Sequence, residues 1–193
     1  MARKYGTQPG VMYEIYNEPK AVSWRDNVKP YAERIVAAIR AIDADNLILI
    51  GSPHWSQDVD VAADDPVHAE NVAYTLHFYA GMHKQWLRDK AEKALKKGLA
   101  LFVTEWGTCD ANGDVKVDVE STREWMEFMR KWHLSHCNWA VSDKPETASI
   151  VVPGTVATGG WKAGELTKSG TLVRRWMREW PQFEKGATVP AAR

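Results

Sequence analysis

Cysteine is scarce in this chain: Cys109 and Cys137 are the only two in 193 residues. Two thiols without metal-type spacing exclude a disulfide scaffold and a cysteine-built zinc site, and they read as buried or cleft-lining groups. Long apolar runs are missing as well, and no stretch of eighteen apolar residues is present to cross a bilayer as a helix. Charge of one sign is not in excess. Lysine plus arginine equals aspartate plus glutamate at 25 each, and the pI is near 7.0. That balance removes long-range attraction to nucleic acid or to an anionic membrane surface, so neither is expected as a partner. There is no glycine-rich phosphate loop, since Gly154, Gly159 and Gly160 fit neither nucleotide-binding pattern. His54, His68, His83, His133 and His136 share no metal-ligand spacing, so no metal and no cofactor are expected. No signal-peptide pattern opens the chain: Met1-Ala2-Arg3-Lys4 leads into the turn-like Tyr5–Gly10.

Tryptophan, by contrast, is plentiful: ten against four phenylalanines. Trp55, Trp106, Trp139 and Trp161 fall near expected strand ends, where a flat amphipathic ring sits half exposed. The C–H faces of sugar rings stack on such surfaces. Trp125, Trp132 and Trp176 fall in helical patterns and read as core.

Strand-like and helix-like stretches alternate along the chain. The strand candidates are Val11–Tyr16, Leu47–Gly51, Val72–Phe78, Leu99–Thr104 and Asn138–Val141. Leu47-Ile48-Leu49-Ile50 is apolar without alternation, as in a parallel strand covered on both faces. Helices are expected over Tyr31–Arg40, Lys84–Lys97, Val119–His133 and Thr171–Glu179. Pro30 suits the start of the first, Gly98 the end of the second, and Asp118 the cap of the third. Five βα units fit this length, whereas a closed (β/α)8 barrel needs eight and about 250 residues. Residues 1–10 read as an irregular lead, 11–183 as one partial barrel domain, and 184–193 as a tail without periodicity.

Two acids stand out. Glu18 follows the apolar run from Val11, and Glu105 follows the run from Leu99. A carboxylate at the end of a buried strand is costly without a functional reason. Two such acids converging on one cleft are what cleavage of a glycosidic bond requires.

Four segments then carry a specific resemblance: Tyr16-Asn17-Glu18-Pro19, His77-Phe78-Tyr79-Ala80, Thr104-Glu105-Trp106-Gly107 and Asn138–Lys144. With Trp55-Ser56-Gln57-Asp58 as a fifth, they resemble glycoside hydrolase family 5 (cellulase family A), in particular its bacterial endo-β-1,4-glucanases. The resemblance runs from about Gly10 to Trp180 and corresponds to strands 4 to 8 of the family's α/β TIM barrel. It implies Glu18 as the general acid/base and Glu105 as the nucleophile of a retaining double displacement. It also implies Asn17 on the sugar 2-hydroxyl, Trp55 stacking on the reducing side, Tyr79 as the hydroxyl donor that holds the nucleophile ionised, and His77 as a sugar-binding or acid/base-orienting group. Trp139 becomes the non-reducing-side platform, with Lys144 and Glu146 as its hydroxyl-binding partners.

The implied partner is a β-1,4-linked glucan, and the implied location is outside the cell. A mannanase, xylanase or lichenase shares the same chemistry, and a non-catalytic carbohydrate-binding remnant would keep the tryptophans without needing both acids. The three βα units that precede strand 4 in the family have no counterpart in this sequence. Exposed sheet edges are therefore expected to favour self-association or to require an amino-terminal segment.

Overall fold

A computed structural model of the chain describes residues 1–180. Five strands, β1 (Tyr13–Glu14), β2 (Ile48–Ile50), β3 (Val72–Tyr79), β4 (Leu101–Gly107) and β5 (His136–Asn138), form one sheet in chain order. The β1–β2 and β2–β3 pairings are parallel, with Tyr13 opposite Ile48 and Ile48 opposite Val72. Helices separate the strands, as the right-handed crossover of parallel neighbours requires. This is a (β/α)8-type sheet with five of its eight units, as the sequence leads one to expect.

The helices are α1 (Ala2–Tyr5), α2 (Lys29–Arg40), the single turn α3 (Pro53–Ser56), α4 (Val59–Asp64), α5 (Gln85–Lys96), α6 (Val119–Lys131) and α7 (Lys168–Arg178). A π-helical turn, Trp24–Val28, leads into α2, and a 3-10 turn, Ala163–Glu165, precedes α7. Helix α2 carries Pro30 in its first turn and buries Ala32 and Val36. Helix α5 ends with Lys93 and Lys96 in its last turn, and Gly98 follows at φ 86°. The Asp118 carboxylate caps α6 by accepting the Ser121 N–H at 2.9 Å, and Trp125, Met126 and Met129 are fully buried on its stripe. The Thr167 hydroxyl caps α7 by accepting the Gly170 N–H, so this helix begins three residues earlier than its apolar spacing suggests.

Several expectations need correction. Strand β1 is only two residues long, because among the described residues it has a neighbour on one side alone. The strand expected at Asn138–Val141 lies earlier, at His136–Asn138. Trp139 and Val141, apolar by letter, are exposed at 51% and 68%, so they belong to the loop that follows. Trp106 is fully buried, not half exposed. It stacks on Phe78 (centroids 5.8 Å, planes 18° apart), and its Nε1–H donates to His136 Nδ1 at 3.1 Å. Trp132 is half-buried rather than core. Both thiols are free, Cys109 buried and Cys137 exposed. The tail expected at 184–193 lies outside the described residues.

The chain divides into two compact units. The first comprises Met1–Phe78, Lys84–Trp106 and Phe128–Cys137; the second comprises Tyr79–His83, Gly107–Glu127 and the described residues from Asn138 to Trp180. The first holds the sheet core of Ile48, Leu76, Phe78, Val103 and Trp106. In the second, the Thr108 and Ser169 hydroxyls are hydrogen-bonded at 2.8 Å, and α7 packs so tightly that a Cβ on Gly170 would meet the Ile150 carbonyl oxygen at 1.9 Å.

Candidate active site

The carboxyl ends of β1, β3 and β4 bring three ionisable side chains together in the first unit. His77 lies on β3, where alternation puts it on the same face as Thr75. Glu105 lies near the end of β4, and Glu18 stands four residues beyond β1. His77 Nδ1 is 3.0 Å from Glu18 Oε1 and 3.8 Å from Glu105 Oε2. The nearest such atoms of Glu18, His77 and Glu105 all lie within 4.8 Å of one another. The two carboxyl groups thus approach as closely as a double displacement requires, about 5 to 5.5 Å between carboxyls.

Electrostatics separates Glu18 from an ordinary surface carboxylate. Burial pushes the Glu18 carboxyl above its usual pKa, a shift that the nearby Lys20 partly offsets. Burial also lowers the His77 imidazole, against the opposing pull of the Glu105 and Glu14 charges. Both shifts favour a neutral imidazole beside a protonated Glu18.

Asn17 is exposed, and its carbonyl accepts a bond from the Ser56 hydroxyl at 2.9 Å. The His54 and Trp55 N–H groups donate to the carbonyls of Lys20 and Pro19, both at 3.0 Å. These bonds fasten the turn α3 to the segment that carries Glu18. Gly51 allows the approach, since a Cβ there would meet the Tyr16 carbonyl oxygen at 2.2 Å. Within α3, His54, Trp55 and Ser56 all have left-handed backbone angles (φ 52°, 55° and 58°), which present Trp55 at 44% exposure. The His54 ring is paired with Asp58, which also accepts from Lys90 at 2.5 Å. Burial alone would raise the Asp58 carboxyl, but the bonds from Lys90 and His54 outweigh it and hold it low.

The second unit carries the other expected binding residues. Tyr79 is buried against Gly107, where a Cβ would lie 2.5 Å from the Tyr79 ring, and its N–H donates to His83 Nδ1 at 2.8 Å. Trp139 is half exposed, and the Trp139–Ala140 peptide bond is cis. Lys144 and Glu146 form an ion pair at 2.5 Å, which raises the Lys144 ammonium. Glu146 lines a cleft of about 370 Å3 with Asp114, Thr147, Thr167 and Ser169.

Sequence reasoning passed over two polar residues beside His77 in the first unit. The Glu14 carboxylate accepts from the Thr104 hydroxyl at 3.0 Å and from the Thr75 hydroxyl at 3.3 Å. Thr104 Oγ1 lies 2.9 Å from His77 Nε2. Glu14 is an exposed residue in a short strand, so nothing in the run Tyr13-Glu14-Ile15-Tyr16 singled it out.

A family model for cellulase (glycosyl hydrolase family 5) matches residues 1–145. Endoglucanase Z of Dickeya dadantii (strain 3937) is 51% identical over 191 residues, spanning 99% of this chain and 43% of that protein. A solved structure from Cytophaga hutchinsonii superposes with a TM-score of 0.91 at 51% identity, covering 93% of this chain and 59% of that one. The catalytic domain of Thermobifida fusca endoglucanase Cel5A, solved as a variant in complex with cellotetraose, gives a TM-score of 0.85 at 31% identity, covering 92% and 60%. The chain therefore spans less than half the length of this curated relative and about six-tenths of these solved chains. On the matched family model and these identities, the chain belongs to glycosyl hydrolase family 5, the cellulase family.

Proposed function

We propose that this chain carries the catalytic pair of an endo-β-1,4-glucanase that hydrolyses cellulose or β-glucan with retention of configuration. The observation that carries the reading is the approach of the Glu18 and Glu105 carboxyl oxygens to within 4.8 Å, with the His77 imidazole against both. Glu18, raised by burial, donates its proton to the leaving glycosidic oxygen. Glu105 attacks the anomeric carbon and forms a glycosyl-enzyme. Glu18, now ionised, then takes a proton from the water that releases the sugar. Kinship with endoglucanases, one of them solved with cellotetraose, supports a β-1,4-glucan as substrate. The exposed rings of Trp55 and Trp139 are suited to stack on its sugars, and the Lys144–Glu146 pair is suited to meet its hydroxyls.

The test is release of reducing ends from carboxymethyl cellulose by the full chain, beside Glu105→Gln and Glu18→Gln. Turnover by the parent and loss of about a thousandfold or more in Glu105→Gln is expected. Equal signal from parent and Glu105→Gln would overturn the reading. Mannan and xylan, run in parallel, decide the glycan.

A further inference from the structure

The donors and acceptors around His77 admit few consistent assignments. An ionised carboxylate accepts hydrogen bonds and donates none. Glu14 Oε1 takes the Thr104 hydroxyl proton at 3.0 Å, so the Thr104 oxygen faces His77 Nε2, 2.9 Å away, with its lone pairs. A lone pair there calls for a proton on Nε2. In a neutral imidazole the other nitrogen is then bare, and Nδ1 is the atom 3.0 Å from Glu18 Oε1. A bare nitrogen and a carboxyl oxygen at that distance are held together by a proton on the carboxyl.

We propose that Glu14, acting through the Thr104 hydroxyl, fixes His77 in its Nε2–H form and so reserves Nδ1 for the protonated form of Glu18. Glu14 is thus a positioning residue, three links from the acid and touching no substrate. The proposal deepens the function proposed above, and rests on it for the role of Glu18.

The surroundings agree. His77 is 2% exposed, which disfavours its doubly protonated form. The groups facing it are Glu14 and Glu18 from β1 and the segment after it, Glu105 and Thr104 from β4, and Thr75 from its own strand. Beyond them, partial burial raises the Cys137 thiol of β5, and the Glu14 charge adds to the shift. Glu14 Oε1 is 3.9 Å from His77 Nε2, so the hydroxyl bridges the pair and no direct bond competes with it.

Long-range proton–nitrogen correlation spectra of the full chain, assigned with His77→Asn, read the tautomer directly and need no turnover. The expected result is Nε2–H in the parent and in Thr104→Ser, which keeps the hydroxyl. Glu14→Met and Thr104→Val should each reduce the ratio of Nε2–H to Nδ1–H by about tenfold or more, the scale of one lost charge-assisted hydrogen bond. Titration of the Glu18 carboxyl, followed by carbon-13, should move to lower pH in the same two variants. An Nδ1–H parent, or an unchanged ratio in both variants, would overturn the proposal. In hydrolysis, Glu14→Met should lower kcat with KM held and draw in the basic limb of the pH profile. A parent that hydrolyses nothing would defeat the proposed function, while the tautomer ratio would still decide the relay.

Discussion

Acidification should unfold this chain through His83, and the size of the effect follows from where that imidazole sits. His83 is 6% exposed, and its Nδ1 accepts the Tyr79 N–H at 2.8 Å. Protonating Nδ1 would set two N–H groups against each other. Burial accordingly lowers its pKa from 6.5 to about 4. A histidine with a depressed folded pKa contributes fully above 6.5, and the contribution is lost as pH falls from 6.5 towards 4, because the unfolded chain binds the proton first. Across that window the cost approaches about 3 kcal/mol, and at pH 5 it is about 2 kcal/mol. The variant to compare is His83→Gln, whose amide oxygen can still accept the Tyr79 N–H but cannot titrate. Urea unfolding of both proteins at pH 7 and pH 5 gives two stability differences, and the parent should lose about 2 kcal/mol more than the variant. If the two differences agree within about 0.5 kcal/mol, the imidazole is not held neutral by its surroundings and the reasoning fails.

Other outcomes follow from packing and exposure. Trp106→Phe removes ring volume beneath Phe78 and strips His136 Nδ1 of its donor. It should cost about 2–4 kcal/mol in urea unfolding at pH 7. Gly170→Ala places a methyl against the Ile150 carbonyl oxygen and should lower stability by about 1–3 kcal/mol, visible as a lower Tm with α7 still helical by circular dichroism. Trp55→Ala should leave the melting curve nearly unchanged, because the ring is 44% exposed, yet weaken binding of a cello-oligosaccharide about tenfold by calorimetry.

What was legible in the sequence were features written in single residues or in short periodic runs. Glu18 and Glu105 stand out because a charge following an apolar strand is hard to explain otherwise, and Asp118 and Gly98 mark helix ends by their own chemistry. The fifth strand was displaced because the apolar letters of Trp139–Val141 belong to an exposed loop, and letters alone do not distinguish a buried ring from a presented one. Trp106 was misjudged in the opposite sense, since burial there depends on Phe78 and His136, thirty residues or fewer away in sequence but on different strands. The roles of Glu14 and Thr104 depend on register across β1, β3 and β4, and register is a property of pairing rather than of any one segment. The left-handed run His54–Ser56 contains no glycine, so nothing local announces it.

That run has a consequence for the chain's improvement by selection. Three successive L-residues with positive φ each store roughly 1 kcal/mol or more that a glycine or asparagine would release. A screen for heat tolerance alone should therefore enrich glycine or asparagine at position 55, since His54 pairs with Asp58 and the buried Ser56 hydroxyl bonds the Asn17 carbonyl. Position 55 is where that drift would erase the indole, so thermal hardening and grip on a polysaccharide pull this one residue in opposite directions.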